Sequence, residues 1–244
     1  MKTITLIAAL ALSATFTFAN ADSTITTTGK KSPLSLSMEL KSRHTWRGGL
    51  TTRSWNVQPT IEYKPIQQLT LGAWGCYAVD NDYAEVDLYI SYSVGQLAIT
   101  VYDYFNPIPS ENARNHHFFD FDKKTTGHQV DVAAKYTLSS IPLTLMASTI
   151  VYGCDLNENA NNRFSTYLEA AYEHTIKSGQ HLKYFIGGTT HEGMYYGNAN
   201  IVNVGLSVTQ PIRLSSVYEV PVTGSLIVNP ARGNIYLVIG ATLF

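Results

Sequence analysis

Charge is what this chain has least of. Asp, Glu, Lys and Arg make up 14% of its residues, against about 25% in ordinary soluble domains. With 17 Lys and Arg against 18 Asp and Glu the net charge is −1, which leaves no basic surface for nucleic acid. Long hydrophobic runs are missing as well. After residue 21 no stretch approaches the roughly 18 apolar residues of a spanning helix, so any passage through a bilayer must be made by strands. Cysteine is scarce. Cys76 and Cys154 lie far apart in the sequence; export would permit a bridge between them, and no Cys-x-x-Cys or Cys/His cluster offers a zinc site. Catalytic and ion-binding patterns are absent too. None of the 7 histidines has a Ser at the His-x-Ser spacing that would set nucleophile and base side by side on a strand. Asp120-x-Asp122-x-Lys124 breaks the calcium-loop pattern at its third ligand, and Asp155-x-Asn157-x-Asn159-Ala160 breaks it at its glycine. No enzyme and no cofactor is expected.

What the chain does have begins with an export signal. Lys2, an apolar run from Ile4 to Phe18 and the small-residue site Ala19-Asn20-Ala21 read as a removable signal peptide over 1–21. Residues 22–33 are a Thr- and Ser-rich lead-in, expected to be flexible and periplasmic. From Leu34 onward the sequence alternates. Leu34, Leu36, Met38 and Leu40 oppose Ser35, Ser37, Glu39, Lys41 and Arg43, with Trp46 ending the apolar face before a turn at Gly48-Gly49. On the return from Arg53, Trp55, Val57, Pro59, Ile61 and Tyr63 oppose Ser54, Asn56, Gln58, Thr60 and Glu62. The same alternation recurs to the end of the chain, in about twelve segments of roughly 9–11 residues. Tight turns such as Gly95-Gln96 are short on one side and mostly longer on the other. An even strand count puts both chain ends on one side, with the short turns.

The last stretch, Asn234 to Phe244, is uncharged and ends on an aromatic ring. Tyr236 and Phe244 share one face of it, and together they read as the assembly signal of an outer-membrane barrel's closing strand. Tyr contributes 16 residues and Trp 3; Trp46, Trp55, Tyr63, Tyr92, Tyr136, Phe164 and Tyr172 tend to sit at the ends of the apolar faces, as in two interfacial belts. The polar faces are rich in Ser, Thr, Gly and Asn and suit a wet lumen. The expected fold is all-β: a transmembrane antiparallel up-and-down β-barrel of about twelve strands over 34–244.

Over residues 42–104 the chain also resembles the TorF-like porin family. Ser42-Arg43-His44-Thr45-Trp46-Arg47-Gly48, Gln58-Pro59-Thr60 before a tyrosine, Leu71-Gly72-Ala73-Trp74 and Glu85-Val86-Asp87-Leu88-Tyr89 carry the likeness. It departs at His44, where the family has an aromatic residue, and at Gly49, where it has an apolar one. The resemblance implies an outer-membrane barrel and says little about a substrate.

The alternation names the side chains that would line a pore: Glu39, Lys41, Arg43, Arg53, Glu62, Glu85, Asp87, Asp131, Lys135, Glu169 and Glu173. Arg43 and Arg53, on the first two strands near the outer mouth, would form a basic wall facing Glu85, Asp87, Asp131 and Glu169. Such a transverse field filters small charged permeants; the same groups paired with each other would instead plug the barrel. The expected protein is a porin-like passive channel for small polar solutes, both ends periplasmic, with lipid and the barrel-assembly machinery as partners. A non-conducting barrel displaying the long loop 106–127 is the first rival, and a lipid-modifying enzyme at the bilayer boundary the second.

Overall fold

Alternating sequences pair, and here the pairing runs through the whole chain. The computed structural model describes residues 32–107 and 116–244. The expected signal peptide, nearly all of the lead-in, and residues 108–115 of the long loop lie outside the described residues. Among those described, fourteen strands form: Leu34–Lys41 (β1), His44–Trp46 (β2), Gly49–Thr52 (β3), Asn56–Ile66 (β4), Leu69–Ala78 (β5), Ala84–Val94 (β6), Leu97–Phe105 (β7), Gln129–Thr137 (β8), Leu143–Gly153 (β9), Thr166–Thr175 (β10), His181–Thr189 (β11), Asn200–Arg213 (β12), Glu219–Asn229 (β13) and Asn234–Thr242 (β14). Twelve of them, β1 and β4 to β14, close into one antiparallel barrel in which each pairs with its neighbours in sequence and β14 returns to β1. The expected fold class is the observed one.

The sides of the wall follow from register. Asn56, Gln58, Thr60 and Glu62 of β4 face inward with Ala78, Trp74 and Gly72 of β5. Val57, Ile61 and Tyr63 face out. Leu88, Ile90, Leu226, Ile235, Leu237 and Ile239 are all exposed on the outside, an arrangement that costs free energy in water and gains it in hydrocarbon. Aromatic side chains mark both rims of this apolar band. Trp55, Tyr77 and Phe164 are exposed at the rim away from the chain's end, and Tyr63, Tyr92, Tyr136, Tyr172 and Tyr184 at the rim near it. Trp46 does not join them, for a reason given below.

The short connections, such as 67–68 and 95–96, lie at the rim that holds Leu34 and Thr242; the longer ones, 42–55, 79–83, 106–128, 154–165 and 190–199, lie at the other. The closing seam is brief. Glu39, Lys41 and Leu40 pair with Thr242, Gly240 and Ala241, extended by Met38 N–H to Phe244 O at 3.1 Å, Leu243 N–H to Met38 O at 2.8 Å and Ser42 N–H to Ile239 O at 2.8 Å. No disulfide joins Cys76 and Cys154.

Candidate functional site: a hairpin across the lumen

The first alternating stretch does not run straight to Trp46. The wall strand β1 stops at Lys41, opposite Asn56 of β4, and residues 42–55 leave the wall. Within them β2 and β3 pair as a separate two-stranded hairpin. Trp46 pairs with Gly49, so Arg47 and Gly48 form a two-residue turn, and both have positive φ, 49° and 78°. That is the handedness a tight hairpin requires. Gly48 suits it; Arg47 adopts it at a cost of about 1–3 kcal/mol.

What offsets the cost is where the turn goes. A Cβ on Gly48 would lie 1.9 Å from the carbonyl oxygen of Val202, so the turn is pressed against β12. Asn229 of β13 donates a hydrogen bond to Gly48 O at 3.0 Å. Arg47 donates to Asp131 of β8 at 2.7 Å, with side-chain exposures of only 8% and 0%. Starting from β1, β8 lies five places round the ring one way and β12 three places the other. The hairpin therefore spans the lumen near the rim that carries the longer loops.

The contacts around Arg47 form a cage. Its guanidinium also donates to the Tyr195 hydroxyl, and its carbon lies 4.6 Å from the Trp46 ring centroid, 5.0 Å from Tyr167 and 5.5 Å from Tyr195. Attraction to ring faces adds about 0.5–2 kcal/mol for a desolvated cation. Tyr104 donates its hydroxyl to Asp131 at 3.1 Å. Burial works against the Arg47 charge, but Tyr195, Tyr104 and Asp131 outweigh it and raise its pKa further. Tyr195 is itself pushed up to about 12, chiefly by burial, and stays a neutral phenol. On the hairpin's first strand His44 is lowered to about 4 by burial and by the Lys41 charge. Its Nδ1 accepts from Gln58 Nε2 at 3.1 Å, which fits a neutral ring.

Below the hairpin the lumen is hollow. A cavity of about 320 Å³ has Trp46 and Arg47 as its ceiling and Tyr102, Tyr104, Lys135, Glu169, Glu173 and Lys183 among its walls. A second, of about 410 Å³, shares Glu173 and Lys183 with it and continues past Lys41, Glu39 and His181 toward the rim of the short turns. Beside the hairpin the barrel is filled: Asn56, Gln58, Asp131, Tyr167, Val202 and Asn229 are fully or almost fully buried.

The structure distributes the sequence-derived pore residues over three places. Glu39, Lys41, Lys135, Glu169 and Glu173 line the hollow half. Their charges are interleaved: Lys41 pairs with Glu39 at 2.6 Å and Lys183 with Glu173 at 3.2 Å. Glu62 pairs with Lys64 at 3.0 Å and accepts from Tyr89 at 2.9 Å. Glu85, Asp87 and Asp131 belong to the filled half; Asp87 is buried with one carboxylate oxygen unbonded. Arg43 and Arg53 stand on no wall strand at all. They occupy the two links of the hairpin, Arg43 with a buried, unbonded Nε and Arg53 exposed. Arg47 carries the cross-lumen contact instead, and alternation could not single it out because it sits in a turn. Trp46 points inward for the same reason. Tyr236 lies on the inner face of β14, while Phe244 follows the strand and bonds to β1 through its backbone.

The class defined by this geometry is a closed twelve-stranded barrel, apolar outside, hollow in one half and crossed by a hairpin in the other. Neither the known protein families nor the curated proteins contain a match to this sequence. Among solved structures, one described as "KdgM porin" is similar over 85% of this chain and 96% of its own, at 10% identity and a TM-score of 0.46. An outer membrane channel from Pseudomonas putida F1 is similar over 91% of this chain and 98% of its own, at 13% identity and a TM-score of 0.47.

Proposed function

We propose that this protein is an exported outer-membrane channel for small polar solutes, held closed by its own hairpin at residues 42–55. The observation that carries the reading is the Arg47–Asp131 pair, which ties a segment of the first connection to the far wall above a hollow, charged lumen. The exposed apolar band and its two aromatic rims support a bilayer setting. The export signal, the TorF-like resemblance, the periplasmic placement of both ends, lipid as surroundings and the barrel-assembly machinery as partner belong to the same proposal. Permeation is passive, needs no cofactor and involves no chemistry.

A buried ion pair that loses one member is destabilised by about 3–5 kcal/mol, because the other charge stays buried without compensation. Arg47→Ala should therefore release the hairpin and raise the open probability in planar-bilayer recordings by at least tenfold. Arg47→Lys, which keeps the charge and loses the planar fork, should fall between the two. Equal currents from the parent chain and Arg47→Ala, both folded, would remove Arg47 from the gate and favour a permanently plugged barrel.

A further inference from the structure

Residues 118–128, which lead into β8, are fastened to the outside of the barrel. Tyr102 and Tyr104 face the lumen, so Asp103 between them faces out, opposite Val130 of β8. An acidic side chain on a lipid-facing wall calls for a partner, and His128 supplies it. Its Nδ1 lies 2.8 and 2.9 Å from the two Asp103 oxygens, and its Nε2 lies 2.6 Å from the Phe118 carbonyl oxygen. Acceptors face both ring nitrogens. Nε2 must then carry one proton, and a second lies between Nδ1 and Asp103, which leaves the pair with no net charge. The imidazole is sandwiched between Phe105 at 4.6 Å and Phe121 at 4.5 Å, with Phe118 edge-on at 5.1 Å. Tyr152, on the outward side of β9, donates its hydroxyl to the Phe121 carbonyl. Residues 118–121 are thus held against β7, β8 and β9 from outside and do not reach over the lumen.

Residues 120–125 are built around two carboxylates that are already in use. Asp120 accepts from Asp122 N–H at 2.9 Å and from the Thr125 hydroxyl at 2.8 Å; Asp122 accepts from Lys124 N–H at 2.8 Å. Lys123 and Lys124 are exposed. Phe119 stands at 87% exposure and Phe121 at 52%. A Phe ring left open forgoes about 1.5–3 kcal/mol of burial, and these two continue the aromatic rim that Trp55, Tyr77 and Phe164 already mark.

We infer that residues 118–124 form a lipid-binding shelf at that rim, with Phe119 and Phe121 entering the interfacial layer and Lys123 and Lys124 contacting the phosphate of an anionic lipid. The inference rests on the membrane reading given above. Its basis is the continuity of the shelf with the apolar wall, the preference of aromatic rings for the headgroup level and the attraction of exposed lysines to anionic lipid. The His128–Asp103 pair positions the shelf without putting net charge into hydrocarbon.

The test uses the full chain in phosphatidylglycerol vesicles whose acyl chains are brominated near the headgroup. Phe119→Trp adds a fluorophore on the shelf, and Leu237→Trp adds one on the outer wall of β14; emission is read as the difference from the parent. Both added signals should fall at least twofold with brominated lipid and stay nearly constant with aqueous iodide. The paired change Lys123→Gln with Lys124→Gln should at least halve the phosphatidylglycerol retained per folded protein in neutral detergent. A wall tryptophan quenched by lipid beside a shelf tryptophan quenched by iodide, or by neither, overturns the shelf; the last case marks burial against a second copy. Retention unchanged in the double variant overturns the phosphate contact. A wall tryptophan not quenched by lipid overturns the membrane reading and the shelf together.

Discussion

Arg47 combines three costs: a left-handed backbone, a desolvated charge and a fully ordered long side chain. These are offset by the Asp131 carboxylate, the Tyr195 hydroxyl and the Tyr167 ring across the lumen, and by the ring of Trp46 beside it. None of these partners is within 80 residues of it except Trp46, so local sequence shows the turn and not its destination. If the hairpin closes the channel as proposed, His44 on that hairpin makes the closure pH-dependent. Its pKa is lowered, from 6.5 to about 4, when the hairpin is docked, so protons bind the released state more tightly. Docking is then complete above pH 6.5 and loses on the order of 3 kcal/mol as the pH falls to about 4. Channel opening should rise across that window in bilayer recordings, and His44→Gln should flatten the profile. A profile identical in parent and variant would show that His44 does not report on docking.

The strands themselves were largely legible. Segments such as 84–94, 97–105 and 143–153 read as strands between turn and loop signals, and the structure sets them as β6, β7 and β9 with those bounds. The first strand reads too long: Ser42 already breaks the apolar face, but no glycine or proline interrupts the chain before Gly48, and Trp46 reads as the end of that face. The polar run Ser42-Arg43-His44-Thr45 suits the lumen it enters, where Gln58 and Asp131 wait for His44 and Arg47. The pore residues beyond the bend after Lys41, Arg43 and Arg53, were assigned to a wall they do not join, whereas Glu39, Lys135, Glu169 and Glu173 lie within the wall strands and line the hollow. The closing seam between β1 and β14 is the weakest pairing of the ring and leans on the last two residues. Removing Leu243 and Phe244 deletes both hydrogen bonds to Met38, each worth about 0.5–1.5 kcal/mol. The folded band on an unheated gel should then convert to the unfolded position at a temperature several degrees lower. An unchanged conversion temperature would mean that the seam is held by β14 alone.

As a whole the molecule reverses the arrangement of a soluble barrel, with its large aliphatic residues outside and its hydroxyls, amides and paired charges within. Paired hydroxyls such as Ser207–Ser225 at 2.7 Å and Thr209–Thr223 at 2.8 Å line the open half, while the other half is a packed polar core. A barrel that is hollow at one end and bolted at the other calls for removal of the bolt. Lys41 and Asn56 are directly paired, so residues 42–55 can be replaced by Asn-Gly, which makes a two-residue turn of the favoured kind and leaves every wall strand in place. The most direct measurement is the single-channel current of this variant beside that of the parent, both checked for heat-modifiable folding. A lasting conductance many times that of the parent, without the parent's rise in opening on acidification, is the predicted result. A folded variant that passes no more current than the parent would contradict the claim that the hairpin closes the channel.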